Sequence, residues 1–326
     1  MSLSIPHMNS STTSAGLATH LPPTDWLSLG EDTPRLAFSS YPARKPWLYL
    51  LISHGYGEHR GWWHHVAEGL QAAGISTYTF DQFHHGVSEG KPGDVRDYGE
   101  LVNGLELALT KGVLPQVPAG KPVALLGHSN GGLCALRALA GQSAGEKTLG
   151  APWDRVSFLV LSNPLLGMRA RLSKFGIPVA RVLGMFLPGF MLPTPSFPPF
   201  LTSDRTHWKD YRRDPLRLQR GSAKYFLEMV DAAQLAFQRP SCGGLPLLLL
   251  WAGRDRVVNG QATLDWYERL ENPSKTLVRY PKLNHELFQE PVWPELLESV
   301  VTWLRDQTKS AQKRPAGKTR RKATTR

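Results

Sequence analysis

The chain contains few cysteines and no long uninterrupted apolar run. Only Cys134 and Cys242 occur among its 326 residues, far apart and without metal-ligand spacing. This excludes a disulfide framework or a cysteine-based zinc site and predicts a reducing, cytoplasmic location. No segment approaches the roughly 18 consecutive apolar residues that a membrane-spanning helix requires. We therefore expect a protein that is soluble or bound peripherally at the inner face of the membrane.

The two ends of the chain lack the apolar residues that build a core. Residues 1–22 are rich in Ser and Thr and have neither the basic start nor the apolar stretch of a signal peptide. The segment from Lys309 to Arg326 has eight Lys or Arg and no acid, so it carries most of the net charge of +11. We predict that residues 1–22 and 308–326 are disordered. Because the remainder is only mildly basic, nucleic-acid binding is not expected, and the tail is interpreted as solubilising.

Short apolar runs alternate with longer segments of helical periodicity, which is the pattern of β–α units around a parallel sheet. The chain length suits one catalytic domain with an insertion. The predicted strands are Trp47–Ser53, Ser76–Phe80, Val123–Gly127, Val156–Leu161, Leu245–Ala252 and Thr276–Tyr280. The predicted helices are Trp62–Ala73, Val95–Lys111, Gly131–Ala140, Gln261–Leu270 and Val292–Arg305. These elements predict an α/β fold whose mostly parallel central sheet is flanked by helices.

The alternation stops between Pro164 and Pro240, where no buried strand is predicted. We interpret residues 164–240 as a helical cap inserted between two parts of the core, residues 23–163 and 241–307. Within it, residues 175–200 are apolar, punctuated by proline and almost without charge. Soluble proteins seldom expose so much apolar surface unless it meets lipid, a ligand or a partner. The cap either packs on its own core or, in the interpretation we favour, covers an acyl-binding slot and touches the membrane.

A serine lies in the stretch LLGHSNGG, between two glycines at G-x-S-x-G spacing. The motif alone is a weak signal, but here a predicted buried strand precedes it and a helix that starts with small residues follows. A nucleophile elbow occupies this strand–turn–helix setting, and its glycines make room for a strained serine backbone. Ser129 is therefore the predicted nucleophile.

A serine nucleophile needs a base and an orienting acid, which follow it in the order acid, then histidine, in folds of this class. Only His207 and His285 follow Ser129. His207 falls in the insertion, whereas His285 follows the last predicted strand and is the predicted base. Asp255, just beyond the strand that ends at Ala252, is the predicted acid. His128 adjoins the nucleophile, so its side chain is expected to point away and to be structural.

Acyl transfer also requires N–H donors that stabilise the developing oxyanion. We predict the backbone N–H of Asn130, the residue after the nucleophile, as one donor. The loop after the first predicted strand, with the sequence HGYGEH, supplies the other, for which Tyr56 N–H is the candidate. His54 is interpreted as a residue that orients this loop.

Several motifs in this order resemble the monoacylglycerol lipase and bacterial lysophospholipase branch of the α/β-hydrolases. They are HGYGEH (54–59), DQFHHGVSEG (81–90), GHSNGG (127–132), LSNPLLG (161–167), RRDPL (212–216), GRDRVV (253–258) and NHELFQE (284–290). The resemblance implies the α/β-hydrolase fold and hydrolysis of single-chain acyl esters, with Ser129, Asp255 and His285 on the triad positions. It places Tyr56 and Asn130 on the family's oxyanion positions.

The sequence departs from that family where the alcohol of the substrate is bound. Trp62 and Trp63 stand in place of the usual arginine–tyrosine pair, of which the arginine helps to hold the glycerol hydroxyls. Arg60 and Trp62 are candidate substitutes, and Glu58 either contacts the substrate or braces its loop. Phe83 and His84 replace the arginine and glycine of the usual D-x-R-G-H-G-x-S pattern.

The predicted function is hydrolysis of a lipid ester through an acyl-enzyme, a reaction that requires neither cofactor nor metal. One alternative is a broad carboxylesterase or an aminopeptidase-like hydrolase of the same fold, because the fold does not fix the leaving group. In an aminopeptidase, Glu58 would be the acidic anchor for a free N-terminus. A second alternative is a non-catalytic protein that binds nucleic acid or anionic membrane through the basic tail.

Overall fold

The computed structural model describes residues 24–141, 152–168, 177–194 and 197–313. The strands are β1 (Asp25–Leu27), β2 (Leu36–Tyr41), β3 (Leu48–Ser53), β4 (Ile75–Phe80), β5 (Val123–His128), β6 (Val156–Ser162), β7 (Met191–Pro193), β8 (Arg220–Ser222), β9 (Leu247–Ala252) and β10 (Lys275–Tyr280). The helices are α1 (His64–Ala72), α2 (Gly99–Leu107), α3 (Asn130–Gly141), α4 (Ile177–Phe186), α5 (Pro198–Leu201), α6 (Arg205–Arg213), α7 (Ala223–Gln238), α8 (Gly260–Arg269) and α9 (Trp293–Lys313).

Within the described ranges, eight strands form one sheet in the order β1-β2-β4-β3-β5-β6-β9-β10. β2 pairs antiparallel with both β1 and β4, and every other neighbouring pair is parallel. Successive side chains of a strand point to opposite faces, so Leu125 packs in one core with α2 and α3 while Leu126 packs in a second with α1 and α9. The predicted α/β fold with a mostly parallel sheet flanked by helices is confirmed.

The predicted strands of the central sheet agree with the structure to within two residues at each end, but β1 and β2 were not predicted. β1 is only three residues long and largely exposed. β2 has Ser39 and Ser40 among its apolar residues, so it lacks the continuous apolar run of the central strands. Both lie on the antiparallel edge of the sheet, where the apolar pattern of a strand is weakest.

Two of the predicted helices differ from the structure by more than two residues at one end or both. The helix expected over Val95–Lys111 begins at Gly99, and after Leu107 it continues as a π-helical turn over Ala108–Val113. α9 extends to Lys313, so residues 308–313 are helical and the prediction of a disordered tail from residue 308 is wrong for them. Lys and Gln favour helix, and Thr308 Oγ1 donates to the Leu304 carbonyl at 2.8 Å. The remainder of the tail and residues 1–22 lie outside the described residues.

In the described part of the chain between β6 and β9 lie four helices, α4 to α7, and a small antiparallel sheet of β7 and β8. We call residues 177–240 the cap. β7 and β8 were not predicted, because they are three residues each and pair with one another rather than with the central sheet. α7 packs against α3 of the core and α4 of the cap, and the Ser222 side chain accepts the Tyr225 N–H at its start, at 3.1 Å. The cap therefore rests on the helix that follows the predicted nucleophile.

α4 and the turn after it expose an apolar surface, which we call the α4 face. Its members are Val179, Val182, Met185, Phe186, Leu187 and Phe190. Met185 and Phe186 are 75% and 74% exposed. Among the described residues, no helix combines the length and the apolar character needed to cross a bilayer.

Candidate active site

Ser129 lies in the sharp turn between β5 and α3, with a backbone φ of +50°. This left-handed conformation is strained for a residue with a side chain. The turn is tight on both sides: a Cβ on Gly131 would lie 2.1 Å from the Ser53 carbonyl oxygen, and one on Gly127 would lie 2.7 Å from the Gly132 Cα. The Ser129 N–H donates to the Ser162 carbonyl at 3.0 Å. The glycines thus allow α3 to start directly against β3 and to present the serine at the end of the sheet.

The structure brings Ser129, His285 and Asp255 together in one hydrogen-bonded chain. Ser129 Oγ lies 3.0 Å from His285 Nε2, and His285 Nδ1 lies 2.6 Å from Asp255 Oδ2. All three side chains are nearly enclosed, with Ser129 only 7% exposed. Because the carboxylate can only accept, Nδ1 carries the proton, and Nε2 is free to accept from the serine hydroxyl.

Backbone groups fix both partners of the serine. Asp255 Oδ1 accepts the N–H groups of Val257 at 2.8 Å and Val258 at 3.0 Å, which orients Oδ2 towards the histidine. Asn163, which follows β6 with a φ of +42°, donates from Nδ2 to the His285 carbonyl at 2.7 Å. Its Oδ1 accepts the Ala252 N–H at 2.9 Å. Asn163 therefore links the loops that carry the base and the acid.

The backbone N–H groups of Tyr56 and Asn130, the predicted oxyanion donors, make no hydrogen bond to any other described residue. Asn130 is the first residue of α3, where helix N–H groups are unpaired and the helix dipole favours negative charge. His54 orients the other loop: its Nε2 accepts the Gln82 N–H at 3.0 Å, so its Nδ1–H donates to the Gly55 carbonyl at 2.8 Å. Burial lowers the pKa of His54 and favours this neutral form.

The chain is similar to known proteins over most of its length. The model of the family described as serine aminopeptidase S33 matches residues 44–292. The chain belongs to this α/β-hydrolase family. It is 30% identical over 268 residues to a monoacylglycerol lipase of Mycolicibacterium smegmatis, a match that covers 81% of this chain and 90% of that one. A monoglyceride lipase of Homo sapiens is 29% identical over 278 residues, covering 83% and 86%.

The chain is also similar to a solved structure. The crystal structure of the Paleococcus ferrophilus monoacylglycerol lipase superposes with a TM-score of 0.72 at 26% identity. The match covers 83% of this chain and 99% of that one. The resemblance inferred from the motifs is therefore confirmed.

In this α/β-hydrolase, two of the three candidate substrate contacts are engaged elsewhere. Arg60 is completely buried and pairs with Asp81, whose Oδ1 also accepts the Arg60 N–H at 2.6 Å. Trp62 is 3% exposed, and its Nε1 donates to Asp214 Oδ2 at 2.5 Å. The expectation that Arg60 or Trp62 contacts the substrate is not met, because both side chains are buried and their polar groups are hydrogen-bonded to Asp81 and Asp214.

Glu58 braces its loop, which is the second of the two roles considered for it. Glu58 Oε2 accepts the Gly55 N–H at 3.0 Å and Trp63 Nε1 at 2.8 Å, while Oε1 lies 3.3 Å from His128 Nε2. Burial opposes the charges, yet the attraction between the two lowers the pKa of Glu58 to about 2 and raises the pKa of His128. His128 Nδ1 faces the Ser162 carbonyl at 3.1 Å. His128 is therefore engaged within the elbow and away from Ser129, as expected.

An open cavity of about 370 Å³ lies between α7 and α8. Apolar side chains dominate its wall, and the polar ones stand at α8 and at one position of α7. The lining residues are Leu166, Gly167, Met168, Ile177, Val230, Ala233, Gln234, Phe237, Asn259, Gln261, Ala262 and Asp265. The wall begins next to Leu165, whose N–H donates to the Ser129 carbonyl at 3.0 Å. Leu166, in this wall, therefore follows a residue bonded to the backbone of the elbow, whereas Ser129, Asp255 and His285 are not among the lining residues.

Three residues around the site were not singled out from the sequence. Asn163 lies within the LSNPLLG motif and Asp214 within RRDPL, so both motifs held a usable signal. Asp214 joins the cap to the oxyanion loop, because Oδ2 also accepts His59 Nε2 at 2.6 Å. Tyr225, on α7, carried no sequence signal, since one tyrosine on a helix is most often a core residue.

Proposed function

We propose that this α/β-hydrolase is a serine esterase that cleaves the carboxylic esters of single-chain lipids, either monoacylglycerols or lysophospholipids. The observation that carries the proposal is the chain from Ser129 Oγ through His285 to Asp255, with distances of 3.0 and 2.6 Å. The relatives named as lipases, which match over four fifths of this chain, support the lipid substrate.

In the first half of the reaction, Ser129 Oγ attacks the ester carbonyl while His285 Nε2 takes the hydroxyl proton. Asp255 stabilises the imidazolium through the Nδ1–H bond. The N–H groups of Tyr56 and Asn130 donate to the oxyanion of the tetrahedral intermediate, a role in which one donor contributes about 3 kcal/mol. The imidazolium then protonates the alcohol oxygen, the carbon–oxygen bond breaks, and the acyl group remains on Ser129.

In the second half, water attacks the acyl-enzyme. His285 Nε2 removes a proton from the water, the same two N–H groups hold the new oxyanion, and the proton returns to Ser129 Oγ as the bond to the acyl group breaks. The fatty acid leaves, and the starting state is restored. Protein groups and water carry every proton transfer in this cycle.

We infer that the cavity between α7 and α8 receives the acyl chain. Its wall is mainly apolar and includes Leu166, which follows the residue whose N–H bonds the Ser129 carbonyl, and burial of each methylene group contributes about 0.8 kcal/mol. A long acyl chain should therefore lower KM more than a short one, whereas the leaving alcohol should matter less.

An aminopeptidase is the less favoured alternative, although the matching family carries that description. It would require a free carboxylate to anchor the substrate N-terminus. Glu58 is buried and satisfied by Gly55, Trp63 and His128, which argues against it as that anchor. Burial of a second cation beside this pair would carry a large desolvation cost.

We further propose that the α4 face docks on a lipid surface, from which the substrate is drawn. Most of its exposed apolar side chains belong to α4, which carries a single charged residue, Arg181. An exposed apolar helix face of this kind binds at the boundary between headgroups and acyl chains. Replacing both Met185 and Phe186 by Ser should lower partitioning onto vesicles of neutral phosphatidylcholine. Leu29→Ser, which removes a side chain 55% exposed outside the cap, is the matched control. Equal partitioning of all three proteins would refute the docking.

Ester hydrolysis is tested with monoacylglycerol, lysophospholipid, a short p-nitrophenyl ester and an aminoacyl anilide, with the released product measured for each. Ser129→Ala should lower turnover by on the order of 10⁴ to 10⁶ and abolish labelling by a fluorophosphonate. Ser299→Ala, which removes an exposed hydroxyl on α9, should change neither. Wild-type turnover of the anilide alone would favour the peptidase, and turnover retained by Ser129→Ala would refute the nucleophile.

A further inference from the structure

The side chain of Asn130 is completely buried between two tyrosines, one from the core and one from the cap. Its Oδ1 accepts the hydroxyl of Tyr98, which precedes α2, at 2.9 Å. Its Nδ2 donates to the hydroxyl of Tyr225, on α7, at 3.2 Å. The residue that offers one oxyanion N–H is therefore held on its cap side by Tyr225.

The residue that offers the other oxyanion N–H contacts the same tyrosine. The ring centroids of Tyr56 and Tyr225 are 5.3 Å apart. The Tyr56 hydroxyl lies 2.8 Å from Thr194 Oγ1 in the cap, and the Gly57 carbonyl accepts the cap's Leu218 N–H at 3.1 Å. Both donor residues thus pack against the cap, and Tyr225 is the side chain that they share.

The protons in this cluster have one consistent arrangement. Burial raises the pKa of Tyr225 well above its ordinary value, so its hydroxyl keeps its proton. Burial lowers the pKa of His85 to about 3, so His85 is neutral. Because His85 Nδ1–H donates to the Phe83 carbonyl at 3.0 Å, Nε2 accepts from the Tyr225 hydroxyl at 3.4 Å. Tyr225 therefore accepts from Asn130 and donates to His85, and both roles of its hydroxyl are used.

We propose that Tyr225 is a positioning residue through which the cap fixes the placement of both oxyanion donors. This inference rests on the proposed function, because it assigns Tyr225 a role only if Tyr56 and Asn130 serve an oxyanion. Donors stabilise a transition state when they are fixed in advance at the position of the developing charge, and a displacement of about 1 Å can cost 10²-fold in rate. The cap thereby acts on the chemical step as well as on substrate binding.

Tyr225→Phe removes the hydroxyl and keeps the ring. We expect kcat on a soluble p-nitrophenyl ester to fall about 10- to 100-fold while KM stays within about twofold, because the lost contact acts on the transition state. Affinity for a boronic acid that mimics the tetrahedral intermediate should fall by a similar factor. Tyr78→Phe is the control: it removes the hydroxyl of another buried tyrosine, which donates to the exposed Gln116 at 3.3 Å away from the site, and kcat should be unchanged.

Asn130→Ala keeps the backbone N–H and deletes the amide that Tyr225 holds. The single variants should lower kcat by comparable factors and the double variant by no more than either, since coupled residues are not additive. Folded protein is quantified by circular dichroism for every variant. If wild type hydrolyses the ester, Ser129→Ala does not, and folded Tyr225→Phe and Asn130→Ala both match wild type, the role of Tyr225 is refuted and the proposed function stands. If wild type hydrolyses no ester, the function falls and the inference with it.

Discussion

Replacing Asp255 by Asn should inactivate the enzyme by imposing the wrong tautomer on His285. Asp255 Oδ1 accepts two backbone N–H groups, from Val257 and Val258. In the variant the amide oxygen must take this position, so the NH2 group faces His285 Nδ1 across 2.6 Å. Two donors cannot share that contact, so the imidazole moves its proton to Nε2. It then presents an N–H to Ser129 Oγ and has no lone pair with which to accept the serine proton.

The loss should amount to about 10⁴ in kcat, the size of effect that a wrong histidine tautomer has in a serine triad. Release of p-nitrophenol measures kcat and KM, and KM should change little because Asp255 makes no contact with substrate in the proposed reaction. Asp306→Asn, which removes one exposed carboxylate on α9, controls for the change in charge. Circular dichroism checks that the variant is folded. A folded Asp255→Asn protein within about tenfold of wild type would refute the tautomer argument.

Three further changes test the loops around the site. Gly131→Ala should yield little folded protein, because its Cβ would lie 2.1 Å from the Ser53 carbonyl oxygen. Gly30→Ala is the control, since its Cβ meets nothing within 4 Å and the variant should express normally. Equal yields of soluble protein from the two variants would contradict the steric argument. Asn163→Ala leaves the buried Ala252 N–H without its partner, whereas the His285 carbonyl keeps the Leu287 N–H at 3.2 Å. It should lower the free energy of unfolding by about 1–3 kcal/mol in urea titration, and a loss below about 0.5 kcal/mol would count against the linking role. The pKa of Glu58 is lowered to about 2 in the fold, so its contribution to stability is present above its unfolded pKa and is lost as pH falls towards 2. Between about pH 5 and about pH 3, the free energy of unfolding should fall on the order of 2 kcal/mol more for wild type than for Glu58→Gln. Parallel decreases in the two proteins would refute the ion pair.

The sequence was sufficient for the proposed triad because each member follows a strand that the apolar pattern reveals. Ser129 follows β5, Asp255 follows β9, and His285 follows β10. The carboxyl ends of parallel strands meet at one edge of a sheet, so a strand prediction also predicts which side chains lie close together. The fixed order of serine, acid and histidine then left one histidine outside the insertion.

The roles of Arg60 and Trp62 could not be predicted in the same way. Their partners, Asp81 and Asp214, are 21 and 152 residues away, and no periodicity connects them. A charged or aromatic residue beside a motif fits either a ligand contact or a buried pair, and only the tertiary structure shows which groups surround it. For the same reason the sequence did not indicate a role for Tyr225, whose hydroxyl bonds Asn130 on α3 and His85 in the loop after β4.

Consecutive residues of the oxyanion loop are fixed in three directions. Glu58 holds the loop to the elbow through His128, and His59 holds it to the cap through Asp214. Arg60 holds it to the carboxyl end of β4 through Asp81. Buried charge pairs add little net stability, because desolvation offsets most of their attraction. Their concentration in this loop is better explained by geometry: a backbone fixed on three sides can present the Tyr56 N–H at one position before the substrate arrives. That prior placement is what oxyanion stabilisation requires. Arg60 is one of these anchors, and Trp62 donates to the same Asp214 oxygen as His59, so neither is free to bind the alcohol of the substrate.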